Sequence, residues 1–90
     1  MNSDEKLVEQ CLRGDEDAFR QLVEQYRPRL YAVAAGMLQD SDQACDAVQD
    51  AFLKAYGALN EYQGRGVFGA WLRRILVNHC LSQLRRRHRY

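Results

Sequence analysis

The sequence predicts an all-α fold, a compact bundle of three main helices preceded by a short N-terminal one. Three observations carry this. Apolar residues recur at the 3.6-residue helical period over long stretches. No valine- or isoleucine-rich alternating run of strand type occurs. Short polar residues and glycines stand where helices of that period must begin and end. Ninety residues, 47% apolar and 28% charged, suit one small domain spanning residues 1–90 around one core, outside the composition range of disordered chains.

Ser3 can cap a brief first helix with Leu7, Val8, Cys11 and Leu12 on one side, and Gly14 is placed to stop it. Asp15 can cap the second, because its carboxylate accepts the unpaired amides of a first turn, and Glu16 and Asp17 favour the positive end of the dipole. The apolar positions Ala18, Phe19, Leu22, Val23, Tyr26, Leu30, Val33, Ala34, Met37 and Leu38 then sustain a helical period. Pro28 falls inside that run, so a kink or break is expected near Arg27. Asp40 or Ser41 caps the third helix, with Gln43 reaching back as in a capping box. Its core stripe is Ala44, Val48, Ala51, Phe52, Ala55 and Leu59. The glycine-containing segment NEYQGRG breaks the pattern, and a last helix runs from about Val67. That helix carries two apolar stripes, Phe68, Trp71, Leu72, Ile75, Leu76 and His79 on one side and Val77, Cys80, Leu81 and Leu84 on another, so it is expected to be packed from two directions.

No run approaches the roughly 18 apolar residues that cross a bilayer, and the start MNSDEKLVEQ lacks a secretory layout. A cytoplasmic address, with no membrane partner, is the expectation. Cys11, Cys45 and Cys80 are odd in number, widely spaced and without a CxxC pair, which reads as reduced thiols. Zinc held by these with His79 and His88 lacks any recognised ligand spacing, so neither a metal nor another cofactor is expected. Chemistry is absent by inspection: the serines have no evident base partner and neither glycine cluster is a P-loop. The chain reads as a non-enzyme.

A net charge of +1 conceals a strong polarity. All twelve acids lie between Asp4 and Glu61 against six bases, a net of −6, whereas Tyr62 to Tyr90 holds seven arginines and no acid. Such segregation suggests two partners of opposite sign.

On the third helix, Asp42, Asp46, Gln49, Asp50 and Leu53 project opposite the core stripe. A leucine ringed by acids has the layout of a protein contact with a dry centre and polar rim. The same pattern describes a solvated face with one stray leucine, the commoner case on surfaces. On the last helix, Arg74, Asn78 and Arg85 fall in line with Ser82 beside them. Arginine forks suit phosphate, and asparagine can read a base edge. The tail Arg85, Arg86, Arg87 and Arg89 adds salt-dependent attraction to nucleic acid, and equally describes a solvated helix end. The acid-free loop Tyr62, Gln63, Gly64, Arg65, Gly66 offers free backbone groups and an aromatic to bases outside a duplex. Trp71, on an apolar stripe, is more often core than stacking platform.

The run DSDQACDAVQDAFLKAYGALNEYQGRGVFGAWLRRILVNHCLSQLRRRHR resembles region 2 of extracytoplasmic function sigma factors of the sigma-70 family. That signature has an Ala-Glu-Asp motif, Val-Gln, an acid, Phe, a loop, Trp-Leu-x-Arg-Ile, Asn three residues on and a basic cluster. Here these are Ala44, Asp46, Val48, Gln49, Asp50 and Phe52, then Trp71, Leu72, Arg74, Ile75, Asn78 and Arg85 to Arg87. Asp17, Ala18, Phe19, Leu22, Tyr26 and Leu30 resemble the family's first helix.

The resemblance implies that Asp46, Gln49, Asp50 and Leu53 dock on the coiled-coil clamp helices of the largest catalytic subunit of core RNA polymerase. It also implies that Tyr62, Gln63, Gly64, Arg65 and Gly66, with Arg73, Arg74, Asn78, Arg85, Arg86 and Arg87, bind the non-template single strand of the promoter minus ten element and melt it. An anti-sigma factor is a further partner the resemblance leaves room for. Cys45 stands where the motif usually has an acid and Ser82 where an aspartate is common. The family continues into a second helical domain reading the minus thirty-five element, absent from these ninety residues; the chain is then either a piece of a longer protein or an atypical free-standing region 2, and a last helix ending in mid-pattern favours the former. The rival readings are a helical nucleic-acid-binding domain without polymerase contact and a protein-interaction module with merely solvated arginines.

Overall fold

Helix ends fall where unpaired backbone groups find partners nearby in sequence. The computed structural model describes residues 3–62 and 66–88, which form α1 (Ser3–Leu12), α2 (Glu16–Leu38), α3 (Ser41–Gly57), α4 (Leu59–Tyr62) and α5 (Phe68–Arg87). Of the expected features, the Ser3 side-chain cap, the loop residues Gln63, Gly64 and Arg65, and Arg89 fall outside what the structure describes.

Gly14, at φ +97°, ends α1. The Gly14 amide donates to the Cys11 carbonyl (2.9 Å) and the Asp15 amide to that of Gln10 (3.0 Å), the paired bonds of a Schellman stop. Asp15 then caps α2, its carboxylate accepting from the amides of Asp17 and Ala18. A left-handed residue also closes α2, here Gln39 at φ 54°. Asp40 rather than Ser41 caps α3, accepting from the Gln43 amide at 2.9 Å. The Gln43 side chain makes a different contact from the expected capping box: its oxygen accepts from Arg87.

The kink or break expected near Arg27 is not seen as an interruption, since α2 is one helix through Pro28. Proline removes one amide and crowds the preceding turn. Pro28 lies on the exposed side, while Leu22, Tyr26, Leu30 and Ala34, four residues apart, are buried on both sides of it. Burial of that continuous stripe holds the two halves in one register. A second difference is α4, a single turn inside the stretch expected to be irregular; it buries Leu59 and Tyr62.

Helices α2, α3 and α5 pack on one another, and α1 lies against α2 and touches α5. Leu22, Leu38, Leu72, Leu76 and Cys80 are fully enclosed. As its two stripes require, α5 meets both α2 and α3, although Leu81 stays exposed, as does Leu12 of α1. On α3 the core stripe is wider than expected and includes Ala47, because two helices rather than one cover it. Its buried small residues Ala44, Ala47, Ala51 and Ala55 let both neighbours approach closely. The C-terminal end of α5 is fastened by Arg87, whose guanidinium donates to the Leu38 carbonyl at the end of α2 (3.2 Å) and to Gln43 on α3. A terminal carbonyl of α2 thereby gains the partner it lacks within its own helix.

At the opposite end of α5, Tyr26, Tyr62, Phe68 and Trp71 form an aromatic cluster with centroid separations of 4.9–5.7 Å. The Tyr26 hydroxyl donates to Asp4 on α1; burial, and then that bond, push its phenol up to about 12. Gly69 faces this ring so closely that an added Cβ would stand 3.0 Å from Tyr26 Cε1 and Oη. Tyr26 is held by Asp4 and Phe68 and cannot simply swing away. Gly69→Ala is therefore expected to destabilise: overpacking costs about 1–3 kcal/mol, against a helical gain of roughly 0.5–1 kcal/mol. Urea unfolding of the two proteins measures it, and an unchanged or raised midpoint would show the ring yields.

Candidate functional site

The outward face of α3 bears Asp42, Asp46, Gln49, Asp50 and Leu53, all exposed. Leu53 is 65% exposed, a solvated leucine amid the acids. It does not stand alone. Beside it, between α2 and α3, runs a groove of ≈ 720 Å³ lined by Phe19, Val23, Tyr31, Val48, Phe52 and Tyr56, with Gln49 and Leu53 on its edge. Phe19 and Tyr56 meet edge-on across it, centroids 4.9 Å apart. Periodicity assigns Phe19 and Val23 to the core and gives no sign of Tyr31 or Tyr56. Their partial exposure arises because two cylinders cannot fill the furrow between them, a fact no single-helix periodicity reports. The apolar surface thus extends beyond one leucine, with Asp46 and Asp50 outside it.

On α5, Arg73, Arg74, Asn78 and Arg85 are exposed, and no acid lies on this helix. Arg73 and Arg74 border a second groove, ≈ 600 Å³, whose apolar floor comes from Leu30, Val33, Val67, Ala70 and Val77. Its far wall carries Arg29 of α2, with its guanidinium 5.7 Å from the Tyr26 ring centre. Along the sequence Arg29 counts with the acidic half. Only the packing of α2 on α5 brings it beside Arg73 and Arg74.

Two of the expected strand contacts have work inside the domain. Tyr62 is 6% exposed; its ring packs against Trp71 and Phe68, and its hydroxyl donates to the Gly66 carbonyl at 2.6 Å. It ties the two ends of the loop together from within, and Gly66 takes a left-handed φ of +77°. An enclosed ring has no face left for a base. Arg87 is engaged with Leu38 and Gln43. Trp71, half-buried in the aromatic cluster, fits the core reading.

A third feature joins the two helices. His79 of α5, its side chain 10% exposed, lies between Lys54 and Asp50 of α3. Lys54 Nζ is 3.0 Å from His79 Nδ1. An ammonium only donates, so Nδ1 accepts and the ring proton sits on Nε2, 3.5 Å from an Asp50 oxygen. Burial first, then Lys54, hold the imidazole below its ordinary 6.5, with Asp50 opposing. Unfolded chains therefore take up this proton at higher pH than folded ones. The stabilisation is complete above about pH 6.5 and is lost as pH falls through the lower folded value. Urea unfolding at pH 5.5 and 7.5 is expected to show that loss in the parent and a smaller one in His79→Gln; equal losses would contradict it.

Cys11, Cys45 and Cys80 are free thiols, two of them buried and pushed up by that burial. Among the described residues no three His, Cys, Asp or Glu side chains converge on a metal position, and no helix is long and apolar enough to cross a membrane.

The all-α bundle thus presents an acid-rimmed apolar face on one helix and an acid-free arginine face on another, two surfaces of opposite chemistry in one small helical domain. The particular family follows from comparison with known proteins: the Sigma-70 region 2 pattern matches residues 22–90, and the chain belongs to that family. It is 38% identical over 81 residues to the RNA polymerase sigma-H factor of Pseudomonas aeruginosa, covering 90% of this chain and 42% of that protein. It is 40% identical over 82 residues to the ECF RNA polymerase sigma-E factor of Escherichia coli, covering 91% and 42%, and 32% identical over 82 residues to the ECF sigma factor SigW of Bacillus subtilis, covering 91% and 44%. The chain thus spans less than half the length of these relatives. An engineered region 2 of sigmaE, solved by NMR in complex with GTAAAA, superposes with a TM-score of 0.89 at 35% identity, covering 98% of this chain and 92% of that one. The expected all-α, region 2 fold is therefore observed.

Proposed function

We propose that this chain is the part of an extracytoplasmic function sigma factor that grips core RNA polymerase and opens the promoter minus ten element. The observation that carries the reading is the separation of its two surfaces. The Leu53 face of α3 and the Arg74–Asn78 line of α5 are both exposed, and neither is buried against the other.

On α3, the clamp helices of the largest polymerase subunit place apolar side chains over Leu53 and into the furrow beside it, with basic groups meeting Asp46 and Asp50. Buried apolar contact supplies affinity, and the charges set orientation and encounter rate. The same surface would serve an anti-sigma factor, which then competes with polymerase. On α5, Arg73, Arg74, Arg85 and Arg86 bind strand phosphates and Asn78 reads a base edge. The groove floored by Val67, Ala70 and Val77 and flanked by Arg29 takes an unpaired base, and Gln63, Gly64, Arg65 and Gly66 take part in holding it. The similar region 2 solved in complex with GTAAAA supports a nucleic-acid ligand. Opening is driven by differential binding: a strand held better unpaired than paired shifts the duplex equilibrium towards the melted state. The domain hydrolyses nothing, and it works in the cytoplasm with the polymerase.

Mixing the chain with core polymerase and a labelled single-stranded minus ten oligonucleotide tests this by size-exclusion chromatography. Co-elution of all three is expected. Capture of the oligonucleotide without polymerase would instead identify a general helical nucleic-acid-binding domain.

A further inference from the structure

The cleft between α3 and α5, on the far side of α3 from the apolar groove, is polar and about 610 Å³ in volume. It is lined by Lys54 and Asp50 from α3 and by His79, Ser82, Gln83, Arg85 and Arg86 from α5. We propose that this cleft holds a phosphate group, bound by Lys54, Ser82, Arg85 and Arg86 with the imidazole N–H of His79.

Three cations face one carboxylate there, an excess that invites an anion. The His79 Nε2 proton, fixed by the Lys54 contact to Nδ1, is buried and has no hydrogen-bond partner among the described residues. Asp50 is within ion-pair range at 3.5 Å but 51% exposed, on the rim. A buried donor left unmatched is costly, and a bound oxyanion would match it. The Gln83 side-chain oxygen is likewise buried and unpartnered; turning its amide over presents a further donor to the cleft. Donors thus arrive from two helices, which suits the several oxygens of a tetrahedral anion better than the two of a planar carboxylate. Cationic and N–H groups exclude a metal ion. The cleft has more room than one phosphate fills, so the group comes attached to a nucleic-acid strand or to a small phosphorylated molecule.

Asp50 on the rim also belongs to the proposed polymerase face, and Arg85 and Arg86 to the proposed strand contacts, so the inference deepens that reading and rests on it, while His79, Lys54 and Ser82 belong to the cleft alone. His79 ring nitrogens and Lys54 side-chain signals are followed by NMR during titration with inorganic pyrophosphate, and separately with a single-stranded hexanucleotide, at constant ionic strength set with chloride. Saturable shifts at both residues are expected, weakened about fivefold in Lys54→Gln and in Ser82→Ala, while Lys6→Gln leaves them unchanged. If the hexanucleotide moves His79, the phosphate belongs to the strand; if only pyrophosphate does, it belongs to a small molecule. Shifts no larger than chloride gives with either probe, or shifts indifferent to both cleft variants, overturn the proposal. A hexanucleotide that moves only Arg74 and Asn78, with pyrophosphate inert, does so too and leaves promoter binding standing.

Discussion

Joint replacement Asp46→Arg and Leu53→Asp is expected to weaken association with core polymerase by at least about 100-fold, since loss of a desolvated interface anchor costs about 2–4 kcal/mol and every 1.4 kcal/mol is tenfold. Both side chains are exposed, so folding should be little disturbed. Area and sign both contribute to the loss. Leu53 sits at the edge of a furrow lined by Phe19, Tyr31 and Tyr56. A carboxylate placed there must be desolvated when a partner covers it, and the guanidinium introduced in place of Asp46 would confront the partner's basic groups. Affinity for single-stranded promoter oligonucleotide should stay within about twofold, because these positions lie on a different helix from the proposed strand contacts Arg74 and Asn78. Equilibrium binding of fluorescent polymerase core checks the first number, and oligonucleotide anisotropy the second. Equal weakening of both would mean that α3 takes part in strand binding.

The second large effect lies on α5. Arg74→Ala with Asn78→Ala removes the proposed phosphate clamp and the proposed base-edge contact, each worth about 1–3 kcal/mol. Together they should lower affinity for the minus ten strand about 30-fold or more. The two losses are separable by salt. Arg74→Ala alone weakens all sequences alike and reduces the slope of log affinity against log salt by about one. Asn78→Ala alone leaves the slope and flattens preference among bases. An unaltered affinity in the double variant would reduce the arginines of α5 to solvation.

Local features of this fold were legible because their causes are local. Asp15 and Asp40 cap as expected, each a short carboxylate just ahead of a helical run, and Gly14 stops α1 with the left-handed turn its position called for. Every buried position of α2 and α5 lies on a stripe that the period marked, although Leu81 on those stripes stays exposed and Phe19 and Val23 are only half-buried. What periodicity missed depends on which faces meet. Ala47 is buried because α3 has two neighbours. The Gln43 side chain, expected to bond within its own turn, accepts from Arg87, 44 residues away. Read locally, Pro28 is a disruption, whereas burial of Tyr26 and Leu30 on either side outweighs one missing hydrogen bond. The same division holds for function. Each surface could be found on its own helix, but both furrows beside them, with Tyr31, Tyr56 and Arg29 in their walls, exist only between helices. Tyr62 shows the opposite error: an aromatic in a glycine-bearing loop looked available, and the packing of Phe68 and Trp71 encloses it.

The proposed promoter opening requires that α5 and its loop read unpaired bases rather than merely attract phosphate. Titration of labelled non-template-strand oligonucleotides, altered one base at a time across the minus ten element and measured at low and at moderate salt, tests it directly. Specific reading predicts that absolute affinity falls with salt while the ratio between preferred and altered sequences persists. A ratio that shrinks to unity as salt rises would contradict it, leaving only a basic helix beside a negatively charged strand.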